Sequence, residues 1–248
     1  MKICVITDNL FLYNEFKRII CSYDKNYRFD FFYSEINKSY IENQKDNMHF
    51  KPINLKNQTE EFFDNYDLFL SLHCKQIFPD ELVLNHRCIN IHPGLNPYNR
   101  GWFPQAFSII NHKPVGVTIH EMDTELDHGN IIFQKEIPIF EYETSYDVYK
   151  KIQALEIKMI EDHLEDILNK NYSVYKPLEE GNINLKSDFK ELCKIELDKR
   201  GTYRELIELL RATTFFPYDN AYFYDKNGKK IYISINLKKD SEEDINYE

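Results

Sequence analysis

The chain has 248 residues, 42% apolar and 29% charged, which suits one large domain or one domain with an appendix and excludes a disordered chain. A formal charge of −10 argues against a general binder of nucleic acid or of anionic membrane surfaces. No apolar run approaches the roughly 18 residues of a membrane span, and Met1-Lys2-Ile3 leads straight into a strand, so no signal peptide is expected.

Lys2 to Thr7 is an apolar run closed by Asp8-Asn9, which predicts a buried strand and a loop. Leu12, Phe16, Ile19 and Ile20 follow at helical spacing. Phe29 to Tyr33 reads as a strand, and the polar stretch from Ser34 to Gln58 as loop with a short helix. Asp67 to Leu72 predicts a second central strand, Phe78-Pro79-Asp80 opens a short helix over Leu82 to Leu84, and Cys88 to His92 returns to strand. Phe103, Phe107 and Ile110 mark a helix within Trp102 to Asn111. The β-branched runs Val115 to His120 and Ile131 to Ile139 predict strands around a loop at Met122 to Gly129. Thr144 or Ser145 can cap the longest helix, with Val148, Ile152, Leu155, Met159, Leu164 and Ile167 on its core face.

Strands alternating with helices predict an α/β fold: a Rossmann-like, mostly parallel sheet with helices on both faces. Pro, Gly and Asn cluster from Pro177 to Asn184, which divides the chain into residues 1–178 and a C-terminal extension, 179–248. Leu206, Leu209 and Leu210 suit a short helix there. Tyr222-Phe223-Tyr224 and Ile231 to Ile235 flank Asp225-Lys226-Asn227-Gly228, a hairpin signal. The tail after Lys239 is acidic and expected to fray. The five cysteines (4, 21, 74, 88 and 193) are odd in number and scattered, which fits reduced thiols in the cytoplasm.

Chemistry concentrates between Ile89 and Gln134. Asn90 and His92 stand two apart on a strand, so both side chains share one face, and Pro93-Gly94 then ends the strand. An amide and an imidazole thus meet at the carboxyl end of a strand, where open α/β sheets place their ligands. Asp127, in Leu-Asp-His-Gly, fits a turn as well as a catalytic carboxylate, and His120 fits a core histidine as well as a site residue. Imidazole and carboxylate at His92, His120 and Asp127 suit zinc or iron, yet the spacing matches no usual zinc pattern, and no metal is expected.

Asn90-Ile91-His92-Pro93-Gly94, Thr118-Ile119-His120 and Leu126-Asp127-His128-Gly129 together resemble the catalytic core of the folate-dependent formyltransferases. The resemblance spans roughly residues 1–178. Arg100-Gly101-Trp102-Phe103-Pro104-Gln105 and Leu210 to Tyr218 bring the chain closer to the sugar-nucleotide N-formyltransferases, most of all those acting on dTDP-4-amino-4,6-dideoxyglucose. Thr7-Asp8-Asn9 departs from the glycine-rich phosphate loop of the purine-pathway members. Leu95-Asn96-Pro97-Tyr98 departs from the apolar pair before proline that the family often carries.

The resemblance implies Asn90, His92 and Asp127 as catalytic residues and N10-formyltetrahydrofolate as co-substrate. Asn90 would donate to the formyl oxygen as charge develops, His92 would take the amine proton, and Asp127 would orient His92 or a relay water. For this the later loop must fold back onto the strand end. The folate pteridine is expected against Gln76, Ile77 and Phe78 and against the loop holding Met122 and Asp123. Lys75 and Arg100 are the cations best placed for a pyrophosphate. In the dTDP-amino sugar site, Asn9 at the end of the first strand is a candidate contact of the nucleotide, Trp102 is a pocket wall or helix core, and Tyr222 is a candidate stacking partner for the base. Phe215, Phe216 and Tyr218 suit the same stacking, hydrophobic core, or a homodimer contact made by the hairpin. The product would serve surface polysaccharide or lipopolysaccharide (O-antigen) synthesis. Rival acceptors are a 3-amino sugar nucleotide, methionyl-tRNA or water. Residues 181–248 carry 12 Lys+Arg against 13 Asp+Glu, which does not favour tRNA.

Overall fold

The computed structural model describes residues 1–23, 26–42 and 50–240; the expected acidic tail, from 241 on, lies outside them. β1 (Lys2–Thr7) leads to α1 (Leu10–Ile20), β2 (Arg28–Ser34), α2 (Lys38–Glu42), β3 (Phe50–Ile53), α3 (Glu60–Asp64), β4 (Leu68–Leu72), α4 (Asp80–Asn85) and β5 (Cys88–His92). Then come β6 (Arg100–Gly101), α5 (Pro104–Asn111), β7 (Val115–Glu121), β8 (Ile131–Ile137) and α6 (Ser145–Asn169). The remainder is β9 (Ile183–Asn184), α7 (Lys186–Leu192), α8 (Tyr203–Thr213) and the hairpin β10 (Tyr222–Tyr224) and β11 (Lys230–Tyr232).

Among the described residues a seven-stranded sheet runs β3-β2-β1-β4-β5-β7-β8. Its first five strands are parallel, while β7 and β8 close the far edge antiparallel. Alternation along β1 sends Ile3 and Val5 to one face, against Tyr13 and Phe16 of α1 and the core stripe of α6. Cys4 and Ile6 go to the other, against Phe63 of α3 and Leu82 of α4. Strand order reverses between β1 and β4, which opens a crevice at their carboxyl ends.

Several local expectations change. The stretch from Ser34 to Gln58 holds the edge strand β3, whose Pro52 lacks a ladder donor and is tolerated because the strand is at the edge. Pro104 stands at the first helical position, so Trp102 lies outside α5. Pro138 stops β8 short of Ile139. On α6 Leu155 is only partly buried and Glu156, one residue on, is fully buried. At the boundary expected near Gly181, β9 pairs in parallel with β6. Asn182 donates to Asn99 Oδ1 at 2.8 Å and accepts from Asn99 N at 3.1 Å. Gly181, at φ +69°, passes so close to Pro97 that a Cβ would stand 2.0 Å from its carbonyl oxygen.

Candidate active site

The loop between β7 and β8 does fold back. Asp127 adopts a left-handed conformation, φ 49°, which Asp tolerates better than most residues. Asn90 Nδ2 donates to Asp127 Oδ1 at 2.9 Å, and Gly101 N donates to Oδ2 at 3.0 Å. His92 Nδ1 lies 3.4 Å from the same Oδ2. Asn96 Nδ2 donates to the Asp127 carbonyl at 2.8 Å, so backbone and side chain of the aspartate are both held. A register shift at Ile119/His120 lies beside the site, as bulges often do.

Hydrogen-bond chemistry fixes the tautomers. A carbonyl only accepts, so His120 Nδ1 donates to Glu121 O at 2.8 Å and its Nε2 is left as an acceptor. Asn90 Nδ2 donates to that Nε2 at 3.2 Å. Both N–H groups of Asn90 are thus engaged, and its amide cannot swing freely. Nδ1 of His92 faces a carboxylate and carries the hydrogen of the neutral ring. Nε2 is then the bare atom, buried and without a partner among the described residues. Gly94 packs beside it; a Cβ there would stand 2.4 Å from Nε2.

Burial pushes the His92 imidazole below its ordinary range; the Asp127 carboxylate pulls it back up, and His73 and Arg100 push it further down. Burial lowers His120 as well, again against the pull of Asp127. The site therefore favours a neutral, proton-accepting His92.

The other expected residues fall into separate groups. Asn9 caps α1 through Oδ1 and extends Nδ2 toward Tyr149 Oη at 3.1 Å. Lys75 is exposed, its backbone N–H donating to the buried Asp8 carboxylate at 2.6 Å and its Nζ to Asn37 Oδ1 at 3.2 Å. Gln76 is committed to the fold, since its amide bonds Leu55 N and Ile53 O. Phe78 is buried in the core, and Met122 packs against that same cluster. Ile77 is exposed. Asp123 binds His128 Nδ1 at 2.7 Å. Any ligand at 76–78 would therefore meet backbone and Ile77 rather than the Gln76 and Phe78 side chains.

Arg100 is buried and pairs through Nη2 with Glu180 at 3.1 Å. It lines a cleft of about 250 Å³ beside Asp127, together with His128 and the segment 176–180. Glu125, His128 and Glu180 there bring ligand-type atoms within 4.8 Å of one another, but the Arg100 guanidinium on Glu180 opposes a metal's charge. Trp102 is half-buried with Lys186 Nζ over its ring at 5.1 Å. Tyr222 makes its ring contacts with Tyr224, Tyr232 and Lys230, inside the hairpin. Phe215 touches Tyr146 and Tyr149 of α6, and Phe216 touches Tyr146. Sequence reasoning left His120 open and missed Asn96 and the Gly101 amide. The motifs Thr-Ile-His and Arg-Gly contain two of these, but only the fold shows what they hold.

The description "Formyl transferase" matches residues 37–164, and "N-formyltransferase dimerization C-terminal domain" matches residues 188–239. The chain is 46% identical over 178 residues to a dTDP-4-amino-4,6-dideoxyglucose formyltransferase of Mycobacterium tuberculosis, spanning 72% of this chain and 76% of that one. It is similar to the crystal structure of a 4-N formyltransferase from Francisella tularensis, with TM-score 0.91 and 47% identity, covering 96% of this chain and 98% of that one. The same fold, at TM-score 0.70 and 23% identity, occurs in an N-formyltransferase from Helicobacter canadensis solved with folinic acid and dTDP-3-aminofucose, covering 93% of this chain and 86% of that one.

Proposed function

The chain belongs to the formyl transferase family, and from that premise we propose that it moves a formyl group from N10-formyltetrahydrofolate to the amine of dTDP-4-amino-4,6-dideoxyglucose. The observation that carries this reading is the meeting of Asn90, His92 and Asp127 in a chain 46% identical to a formyltransferase of that name. The neutral sugar amine attacks the formyl carbon. His92 accepts the amine proton at Nε2, and Asp127 across the ring stabilises the resulting cation. Negative charge gathers on the formyl oxygen, and Asn90 donates to it by giving up the longer of its two bonds, the one to His120 at 3.2 Å. The tetrahedral intermediate then collapses, releasing tetrahydrofolate as the folate nitrogen regains a proton.

The folate lies against residues 76–78 and the loop at Met122 and Asp123, and the nucleotide sugar lies toward Asn9 and Lys75. Arg100 and Trp102 form the wall beside Asp127. The C-terminal segment makes a homodimer, a reading supported by its match to a dimerization domain. The product supplies surface polysaccharide synthesis.

Mass spectrometry tests the reading directly. Incubation with N10-formyltetrahydrofolate and a panel of dTDP- and UDP-amino sugars is expected to add one formyl group to the 4-amino-4,6-dideoxyglucose nucleotide. Formylation of a 3-amino sugar alone would move the assignment. Loss of the formyl group to water at a rate indifferent to dTDP would replace transfer by hydrolysis.

A further inference from the structure

The end of β4 carries a buried polar construction that the transfer chemistry leaves unused. His73 follows β4 in a left-handed conformation, φ 55°, which non-glycine residues rarely adopt without cause. Its Nε2 meets Glu156 Oε1 at 2.7 Å. Glu156 is fully buried on α6, among Ile152, Met159 and Ile160 with the buried Gln153 one turn before it, and its second oxygen has no partner among the described residues. A staple between β4 and α6 needs no such carboxylate, because apolar residues of the same size fill the space at lower cost.

The carboxylate sets the chemistry of the ring. It accepts only, so His73 Nε2 carries the hydrogen and Nδ1 of the neutral ring presents a lone pair. That Nδ1 lies 3.3 Å from Tyr149 Oη and 3.4 Å from Asn9 Nδ2. Asn9 Oδ1 accepts from Phe11 N and Leu12 N, so its amide is locked with Nδ2 outward as a donor. An acceptor and a donor therefore stand side by side, bridged by the Tyr149 hydroxyl, which accepts from Asn9 Nδ2 at 3.1 Å and donates to His73 Nδ1 at 3.3 Å, the place an incoming hydroxyl would take. A hydroxyl, both donor and acceptor, matches them, whereas a phosphate or carboxylate oxygen would face the Nδ1 lone pair.

Position names the hydroxyl's owner. Asn9 and His73 flank the crevice where strand order reverses between β1 and β4. His73 is also near enough to His92 for a charge on one to disfavour a charge on the other. We propose that His73, oriented by Glu156 and working with Asn9, binds the ring hydroxyl on the carbon beside the acceptor's amine and so selects acceptors that carry it. This rests on the sugar-nucleotide reading above.

The test compares two acceptors, dTDP-4-amino-4,6-dideoxyglucose and its 3-deoxy analogue, with N10-formyltetrahydrofolate as donor. Wild-type kcat/KM is expected to be about 10- to 100-fold lower on the 3-deoxy acceptor, the scale of an unmet polar group in a built site. His73→Asn, which tolerates the left-handed backbone, is expected to lose the same factor on the full acceptor and nothing further on the 3-deoxy one, with the folate KM unchanged. Glu156→Gln, which still accepts from Nε2, should keep the discrimination, and Glu156→Leu should lose it. The ratio between acceptors does not depend on how much of a variant is folded. Equal losses by His73→Asn on both acceptors, or no loss on either, would overturn the inference. Failure of the wild-type enzyme to formylate either sugar would overturn the transferase reading itself, and this inference with it.

Discussion

The buried His92 ring feels two opposed influences, loss of water lowering its proton affinity and Asp127 Oδ2 at 3.4 Å raising it. Because burial is the larger, the acid limb of kcat/KM is expected below pH 6.5, the ordinary value for imidazole. The base form is lost only as pH falls through that lowered value. Asp127→Asn should move the limb lower still while slowing the reaction; a limb that stays put would remove the aspartate from this role. The same shift has a stability consequence. The unfolded chain takes up the proton first as pH falls, so stability present above pH 6.5 drains away between that value and the folded one, with His120 acting in the same sense. At Asn90 the engaged amide predicts that Asn90→Ala costs about 2.7–4 kcal/mol of barrier, as for other lost oxyanion donors. His92→Asn should likewise leave less than roughly a tenth of the wild-type rate, a loss above ~1.4 kcal/mol. Thermal melting of both variants should stay near that of the wild type, and retained turnover would strip either residue of its part.

The loop between β7 and β8 places its aspartate through tight backbone contacts as much as through hydrogen bonds. A Cβ on Gly129 would stand 1.8 Å from the Glu121 carbonyl, an atom of the sheet edge that cannot give way cheaply. Gly129→Ala is therefore expected to destabilise the fold by about 1–3 kcal/mol. In a chain of this size that is a Tm loss of roughly 2–4 °C per kcal/mol, with kcat falling further because Asp127 moves. An unchanged Tm would show that the loop is not packed as described. Short apolar runs revealed β1, β4 and β5, which are buried on both faces, and helical spacing revealed α6; strand alternation placed Asn90 and His92 on one face. Local spacing could not reveal that Glu156 takes a core position, because the reason, His73, is 83 residues away. Nor could it show that the Pro-Gly-Asn stretch near 181 is bound to the loop at 97–101, since the composition of a free linker and of a clamped strap is the same. Asn90 and His92 were readable as a pair because their spacing is local, whereas Asp127 joined them only through the family resemblance. The crevice was not readable, because Asn9, His73, Tyr149 and Glu156, which meet there, come from three separate stretches of the chain.

At the scale of the whole molecule, the constellation at Asn90, His92, His120 and Asp127 comes from one chain, and the C-terminal segment, packed on α5 and α6 through α8, carries an apolar surface of its own. α8 buries Leu210 to Thr213 against α5 and α6 yet leaves Tyr203, Leu206 and Ile207 exposed, and the hairpin exposes Tyr224, Ile231 and Tyr232. A surface this apolar asks for a partner, and two copies of one chain most often meet about a two-fold axis. Light scattering after size exclusion is expected to find a dimer. Leu206 and Ile231 are 44% and 41% exposed, so charge at both can disturb an interface without entering the core. Leu206→Glu/Ile231→Glu is therefore expected to run as a monomer with a near-normal Tm, and to keep turnover because no partner residue is needed at Asp127. A wild-type monomer, or a double variant that remains dimeric, would place the contact elsewhere. A monomeric variant without turnover would mean that the second copy shapes the crevice, through Phe215 and its contacts with Tyr146 and Tyr149.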